Sequence, residues 1–589
     1  MVITQRKVLN TAASQTVAAA KGMTESSTAQ SAQSFAGAAD RFDSAASTAP
    51  AIWTHPARLV PVIAQNLDAV GRAAESGAAV TRTASDIAGS VDYNRLQLDG
   101  GGIDLATLSS FEGPVSRAEA VLKGVDRQIA TLDSPWILGP LRSKLDQFAS
   151  ETARVRSGAE TAAIAVRKLP AILGGSGERR YLMLLGNPAE ARDIGGHLGT
   201  FAEITANNGT LKVVRVVSPY EVFGPGASPS PQIRNPIGLP PAMLEMNPTR
   251  FPQNWGASPN MDDVARVAAD LYPQSSIGAP LDGVLYADPH AFAAVLRVVG
   301  PVDVSTAVAS AGIGPREINA DNAVAYLTRE QFAVDHGAED PVKGLVETAL
   351  DRLTADRLPA VKSIVDSFGG VIEQGRLQFR SLHGTDEPLL RRLGLDQPFT
   401  QPKGGDMLAV ITRSAFPSKI DSYLKRHIDY RVAWDPASGT VSSEVEIELD
   451  NTAPKAGLPS LISAAPAGSA PGTNSMVLSV ITPFEVDSAT IEGRPIPVGT
   501  RSESSGLKRH SFLIDIAPES SRTVVVRLRG SVTSGADYRL SWFNQPLVNR
   551  DATELTIRSV GRPFVGGDQS GIVKVPDERM VRLTMRTER

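Results

Sequence analysis

The sequence predicts a multi-domain protein: an N-terminal α-helical bundle or stalk over 1–172, a central α/β domain over 178–415 and a C-terminal β-sandwich over 420–589. Three observations predict it. Apolar residues recur at helical spacing in an Ala-rich first third, strand-like and helix-like runs alternate through the middle, and short β-branched runs between Gly, Pro and Asn fill the last third. A chain of 589 residues also exceeds what one hydrophobic core supports.

In the first third, Leu59, Ile63, Leu67 and Val70 form one stripe, and Leu122, Val125, Ile129 and Leu132 another. Such narrow stripes suit helix-on-helix packing, and alanine favours helix. Prolines break the pattern at 47–61 and 133–141, where Trp53 and Trp136 offer caps or anchors, and "LDGGGIDLATL" (98–108) is a hinge. The expectation is an elongated helical spacer, with a partner-binding coiled coil as the alternative.

The central region opens with "RYLMLLGNPAEARDIGGHLGTFAEI" (180–204). Tyr181 to Leu185 reads as a buried strand and Leu198 to Ile204 as a second. Between them a polar turn carries Asn187, Glu190, Arg192, Asp193, Gly195, Gly196 and His197. Charges and paired glycines between two core strands predict a turn that faces an anion, with the glycines admitting backbone N–H groups to it. The alternative is a plain connection whose charges pair locally and whose glycines take positive φ.

Further on, "PNMDDVARVAADLYP" (259–273) reads as a helix opened by Asn260. "LDGVLYADPHAFAAVLRVVGPVDV" (281–304) is strand, turn, helix, turn, strand, with Asp282 and Asp288 as turn caps or hard-oxygen metal ligands. Residues 319–355 form two helices around a charged break, where Arg329, Asp340 and Lys343 either complete an anionic-ligand site or form a solvated face. In the last third, "TVSSEVEIELDNTAP", "RTVVVRLRGSV" and "ATELTIRSV" read as sandwich strands. The Pro/Ala/Gly/Ser stretch 459–475 reads as a mobile surface loop.

Bulk properties exclude several classes. A net charge of -4 gives no general attraction to nucleic acid or anionic lipid, so no nucleic-acid partner is expected. The chain has no cysteine, which removes disulfides, thiolate metal sites and thiol nucleophiles. No run of about 18 apolar residues exists, and the first ten residues lack a signal-peptide core. The histidines show no metal-ligand spacing, and no Walker loop or Gly-x-Ser-x-Gly is present.

The segments "YLMLLGNPAEARDIGGHLGTF", "DGVLYADPHAFAAVLRVVGPV" and "SKIDSYLKRHIDYRV", in this order after an Ala-rich helical region and before an all-β tail, resemble the actinobacterial domain-of-unknown-function family 4012. That resemblance implies an outward-facing envelope protein tethered to the membrane, here by an anchor upstream of Met1. The middle region is also distantly similar to the LytR–CpsA–Psr fold, whose enzymes move lipid-pyrophosphate-linked glycopolymers onto peptidoglycan. The likeness rests on "LMLLGN", on Arg192-Asp193, on "YADPHAFAAVLRVVGPV" and on the helix pair 326–350. It implies that Arg192 and Arg329 clamp a pyrophosphate and that Asp193 holds Mg²⁺, with catalytic roles for all three.

Two departures weaken the transfer chemistry. The fold's Arg-Asp motif falls on Pro219-Tyr220-Glu221, and its last Arg-Gln pair appears as Lys343-Gly344. Lysine does not replace arginine at a bidentate phosphate site. The resulting expectation is an extracytoplasmic envelope protein whose α/β cleft binds a polyprenyl-(pyro)phosphate or glycopolymer, with transfer to the cell wall as a further step. Asn187, Glu190, Gly195, Gly196, His197, Asp340 and Lys343 would line that site. The alternative is a non-catalytic scaffold or adhesion protein that binds envelope proteins or glycans.

Overall fold

The computed structural model describes residues 28–48, 61–90, 96, 102–132, 134–223, 233–234, 236–304, 315–333, 341–355, 361–503, 506–568 and 570–588. The chain divides into two compact units. The first is Met1–Glu178 with Ala206–Leu211 and Arg357–Lys362; the second is Arg179–Thr205, Lys212–Asp356 and Ser363–Arg589.

The first unit contains helices Thr28–Thr48, Pro61–Ser90, Leu105–Ser110, Glu112–Ala130 and Gly139–Ile172. Small residues let the first two approach closely: Phe35 packs on Ala88 and Phe42 on Ala78, so the helices run antiparallel. A Cβ on Gly77 would lie 2.9 Å from the Phe42 ring, which leaves room for nothing larger than glycine. Leu122, Val125 and Ile129 are buried on one face of the fourth helix, as their spacing predicts. Trp53 and Leu59 lie outside the described residues. No helix among the described residues is long and apolar enough to cross a membrane.

The second unit begins with a five-stranded sheet, order β3-β2-β1-β4-β7. Its strands are β1 (Arg179–Arg192), β2 (Gly195–Asn207), β3 (Thr210–Val217), β4 (Gly283–Ala287) and β7 (Leu377–Ser381). Two short strands, β5 (Val302–Asp303) and β6 (Glu317–Ile318), pair apart from it. β1 and β4 are parallel, in register Tyr181↔Gly283, whereas β4 and β7 are antiparallel. Successive side chains of β1 point to opposite faces. Leu182 and Leu184 join Phe201, Trp255 and Val264 in one core, while Met183 and Leu185 pack against Phe292, Leu296, Leu345 and Val346 in the other. Helices Met261–Leu271, Pro289–Val299, Ala323–Thr328 and Pro341–Ala355 supply these partners.

The rest of the unit is a sandwich of two sheets. Its strands are β8 (Asp406–Ser414), β9 (Leu424–Trp434), β10 (Thr440–Asn451), β11 (Asn474–Thr482), β12 (Glu485–Ile491), β13 (Arg494–Pro495), β14 (Gly499–Ser502) and β15 (Lys508–Ile516), followed by β16 (Ser520–Ser531), β17 (Asp537–Phe543), β18 (Ala552–Ser559), β19 (Ser570–Lys574) and β20 (Met580–Arg586). The seven-stranded sheet runs β13-β12-β16-β10-β9-β18-β19 and the six-stranded sheet β14-β15-β11-β8-β17-β20. Alternate residues such as Val441, Val445, Ile447 and Leu449 fill the core with Trp434, Phe512 and Trp542.

Three expectations change. β8 belongs to the sandwich, pairing with β11 and β17, and not to the α/β region that was to end at 415. A fully buried strand reads as a continuous apolar run in either setting. The stretch 459–475 is anchored, not loose: Ile462 is buried, and Gly472 N–H donates to Ser463 O at 2.7 Å. Finally, β1 does not stop at Leu185 but runs through Arg192, so the predicted polar turn shrinks to Asp193-Ile194.

Candidate functional site

The extension of β1 carries most of the predicted site residues, and the sandwich holds it. Asp193 is fully buried. Its Oδ1 accepts from Arg413 Nε at 2.7 Å, and its Oδ2 from Arg413 Nη2 at 2.8 Å and Arg509 Nη2 at 2.6 Å. Burial alone would raise its pKa, but the two guanidinium groups outweigh it and hold the carboxyl at about 2. Both oxygens are thus bound by cations that would repel a dication. Asp193 does not fit the Mg²⁺ role implied by the resemblance, and among the described residues no group of three or more His, Asp or Glu is arranged to hold a metal ion.

Arg192 also turns inward. Its Nη2 donates to Glu190 at 2.8 Å, Nη1 to Ala191 O at 2.9 Å and Nε to Asn254 at 3.4 Å. Glu190 binds Lys419 on its other oxygen. Burial raises the Glu190 pKa, but Lys419, then His197 and Arg192, hold it near 2. Ala191 N–H donates to Asp421 at 2.8 Å, and Gln545 Nε2 donates to Arg192 O at 2.9 Å.

The glycines serve close packing, not an anion. A Cβ on Gly196 would sit 2.1 Å from the Asn187 carbonyl carbon and 2.3 Å from Pro188 N. Gly195, at φ 152°, would meet the Tyr286 hydroxyl at 2.3 Å. Arg329 donates to Ser422 O at 2.6 Å and lies 5.0 Å from the Tyr423 ring centroid, away from Arg192's partners. Lys343 is half-buried on helix Pro341–Ala355, and Asp340 lies outside the described residues. Asp288 acts as a cap, accepting His290 N–H at 2.8 Å while pairing with Arg376 at 2.7 Å, whereas Asp282 bridges remote segments, accepting Arg180 N–H at 2.7 Å and meeting His383 Nε2 at 2.7 Å.

The concavity lies beside this network, at the carboxyl ends of the parallel pair β1 and β4, where open α/β sheets receive ligands. It has a volume of about 210 Å³. Leu185, Phe292, Leu327, Phe332, Val342 and Val346 form its apolar wall, and Asn187, His197, Thr200, Gly199 and Lys419 also line it. Of the predicted residues among those described, Asn187, His197 and Asp288 line it. Asn187 is held by Nδ2 to Leu327 O at 2.7 Å and by Ala189 N–H at 3.0 Å. His197 is neutral near pH 7, because burial first and the Lys419 charge second push its pKa down to about 3. So weak a base cannot serve as a general base near neutrality.

Lys419 is the residue that sequence reasoning missed. Its ammonium joins Glu190 and lies 5.7 Å from the Phe332 ring centroid, and its side chain is 17 % exposed. It sits in "SKIDSYLKRHIDYRV", between the central region and the sandwich, where no local pattern sets one lysine apart.

No curated protein matches the chain. Among solved structures, a protein described as nutrient-binding from Legionella pneumophila superposes with a TM-score of 0.21 at 7% identity, over 31% of this chain and 71% of that one. Yeast LTA4 hydrolase in complex with bestatin gives 0.18 at 8% identity, over 28% and 29%. Neither score reaches that of a shared fold. Residues 176–332, which run through β1 to Phe332 and build most of the cavity wall, match the family model described as "Protein of unknown function (DUF4012)".

Proposed function

We propose that the α/β part of this chain binds the lipid end of a polyprenyl-phosphate-linked glycan at the cell envelope, as a binding module and not as a transferase. The observation that carries this reading is the cavity at the β1 and β4 ends, whose wall is apolar and bears the Lys419 ammonium. Apolar walls with a few placed polar groups are what an amphiphile requires. The helical unit would space the head from a membrane tether, and the sandwich would offer its surface to envelope proteins or glycan.

Transfer is the less supported half of the expectation. A LytR–CpsA–Psr-like mechanism needs arginines and a carboxylate facing the pyrophosphate. Here Arg192, Arg329 and Asp193 bind other protein groups, and none of the three lines the cavity. These residues do not fit a Mg²⁺-assisted step.

The test compares the full chain with Gly199→Leu. Gly199 lines the cavity, and a Cβ there meets nothing within 4 Å, so the substitution fills space without a clash. Saturable binding of a detergent-dispersed polyprenyl phosphate that the variant loses supports the reading. Equal binding by both proteins overturns it, and Mg²⁺-dependent release of the glycan onto an acceptor overturns the non-catalytic part.

A further inference from the structure

Resting on the cavity reading above, we infer that the site selects a phosphomonoester on a branched apolar chain, and that it holds only the first one or two isoprene units of that chain.

The head group follows from the cations present. Lys419 is the only Lys or Arg among the described residues that line the cavity. An ammonium has three N–H donors, and one of them goes to Glu190. Two remain for ligand oxygens, on a side chain that is largely buried and braced against Phe332. The Thr200 hydroxyl, on the same wall, adds a donor. Among the described residues no second cation lines the cavity: Arg192 and Arg329 bind Glu190 and Ser422, and Arg376 is taken up by Asp288.

The amino end of helix Pro289–Val299 also opens at the cavity, but the Asp288 carboxylate already caps it. A phosphomonoester carries roughly one and a half to two negative charges near pH 7. A pyrophosphate adds charge beside Asp288, whose own charge Arg376 already balances, and meets no further cation among the described residues that line the cavity.

The chain length follows from the volume. An engineered cavity of ~150 Å³ holds one benzene ring, six carbons. By proportion, about 210 Å³ holds roughly eight carbons, between one and two five-carbon units. The remainder of a long polyprenyl chain lies outside this cavity.

The experiment is calorimetric titration of the full-length chain with isoprenyl monophosphates of five, ten, fifteen and twenty carbons, with geranyl pyrophosphate with and without Mg²⁺, with geraniol and with decanoate. Affinity should rise about tenfold or more from five to ten carbons and then change less than about threefold. Geranyl monophosphate should bind more tightly than the pyrophosphate or decanoate. Lys419→Met should lose about tenfold for geranyl monophosphate and less than about threefold for geraniol, while Lys419→Arg, which keeps the charge should the Met variant fail to fold, retains the monophosphate preference.

Tighter pyrophosphate or decanoate binding, affinity that climbs past fifteen carbons, or a Lys419→Met variant equal to wild type overturns the inference and leaves the cavity reading standing. Absence of binding by every isoprenoid, geraniol included, overturns the cavity reading itself.

Discussion

Asp193 and Arg413 are joined by two parallel hydrogen bonds, Nε to Oδ1 at 2.7 Å and Nη2 to Oδ2 at 2.8 Å, between the end of β1 and the sandwich strand β8. This fork, closed on its other side by Arg509, fixes the first strand of the α/β sheet to the sandwich.

Asp193→Asn should therefore act on stability. It leaves the buried Arg413 guanidinium without a carboxylate and Arg509 with Glu503 alone, and breaking one side of a buried pair costs about 3–5 kcal/mol. Urea unfolding should show that loss at pH 7. Because its folded pKa lies below the ordinary aspartate value of 3.8, the wild-type advantage is complete above that value and disappears as pH falls through about 2. A variant as stable as wild type that fails only in ligand binding would reverse the assignment.

Asp406 predicts the opposite slope. It is fully buried in the sandwich core, accepts Tyr430 O–H at 2.8 Å and also binds Tyr538 O–H. Burial, only partly offset by those two hydroxyls, raises its pKa to about 6. A raised carboxyl binds its proton more tightly when folded, so its contribution is greatest below about pH 4 and declines as pH rises through 6. Asp421, raised to about 6 by its own burial, acts in the same sense. Asp406→Asn should flatten the fall in urea midpoint between pH 4.5 and 7.5 by an amount on the order of 2–3 kcal/mol. An unchanged slope would count against a protonated Asp406.

Two glycines three residues apart should respond very differently to alanine. Gly196→Ala drives a Cβ into the Asn187 and Pro188 backbone and should destabilise by about 3 kcal/mol or prevent folding. Gly199→Ala meets open space and should stay within about 1 kcal/mol of wild type. Thermal melts of both variants decide it; equal effects would mean that the β1–β2 approach is looser than described.

His197 should not titrate between pH 5 and 8. Its pKa, lowered to about 3 from the ordinary histidine value of 6.5, implies that stability is intact above 6.5 and is lost as pH falls below it. Histidine ring proton shifts, assigned by a His197→Gln variant, read this directly. A midpoint near 6.5 would place the ring in open water and remove it from the cavity wall.

The repeating parts of the fold were legible. "TVSSEVEIELD" alternates one residue in, one residue out, and β10 buries every second side chain. Asn260 caps its helix as its residue type suggests, its Oδ1 accepting Asp262 N–H at 3.2 Å. The segment Pro188 to Asp193 was not legible, because its partners are remote in sequence: Asp421, Lys419, Arg413 and Arg509 lie 220 or more residues away. An Arg-Asp pair beside two glycines has the same local signature whether it greets a ligand's charge or another strand's. What separates the two is whether a guanidinium arrives from elsewhere in the chain, and no window of sequence reports that.

The placement of β8 bears on how this protein can be divided. A cut near residue 415 would take the six-stranded sheet's fourth strand, with Arg413, away from the sandwich, and would part Asp193 from Arg509 and Ala191 from Asp421 by placing them on different polypeptides. The sandwich piece would present the unpaired edges of β11 and β17 to its own copies, which is how sheet proteins precipitate. Anyone seeking crystals, antigens or binding fragments from the second unit should carry it from Arg179 to the carboxyl end in one piece.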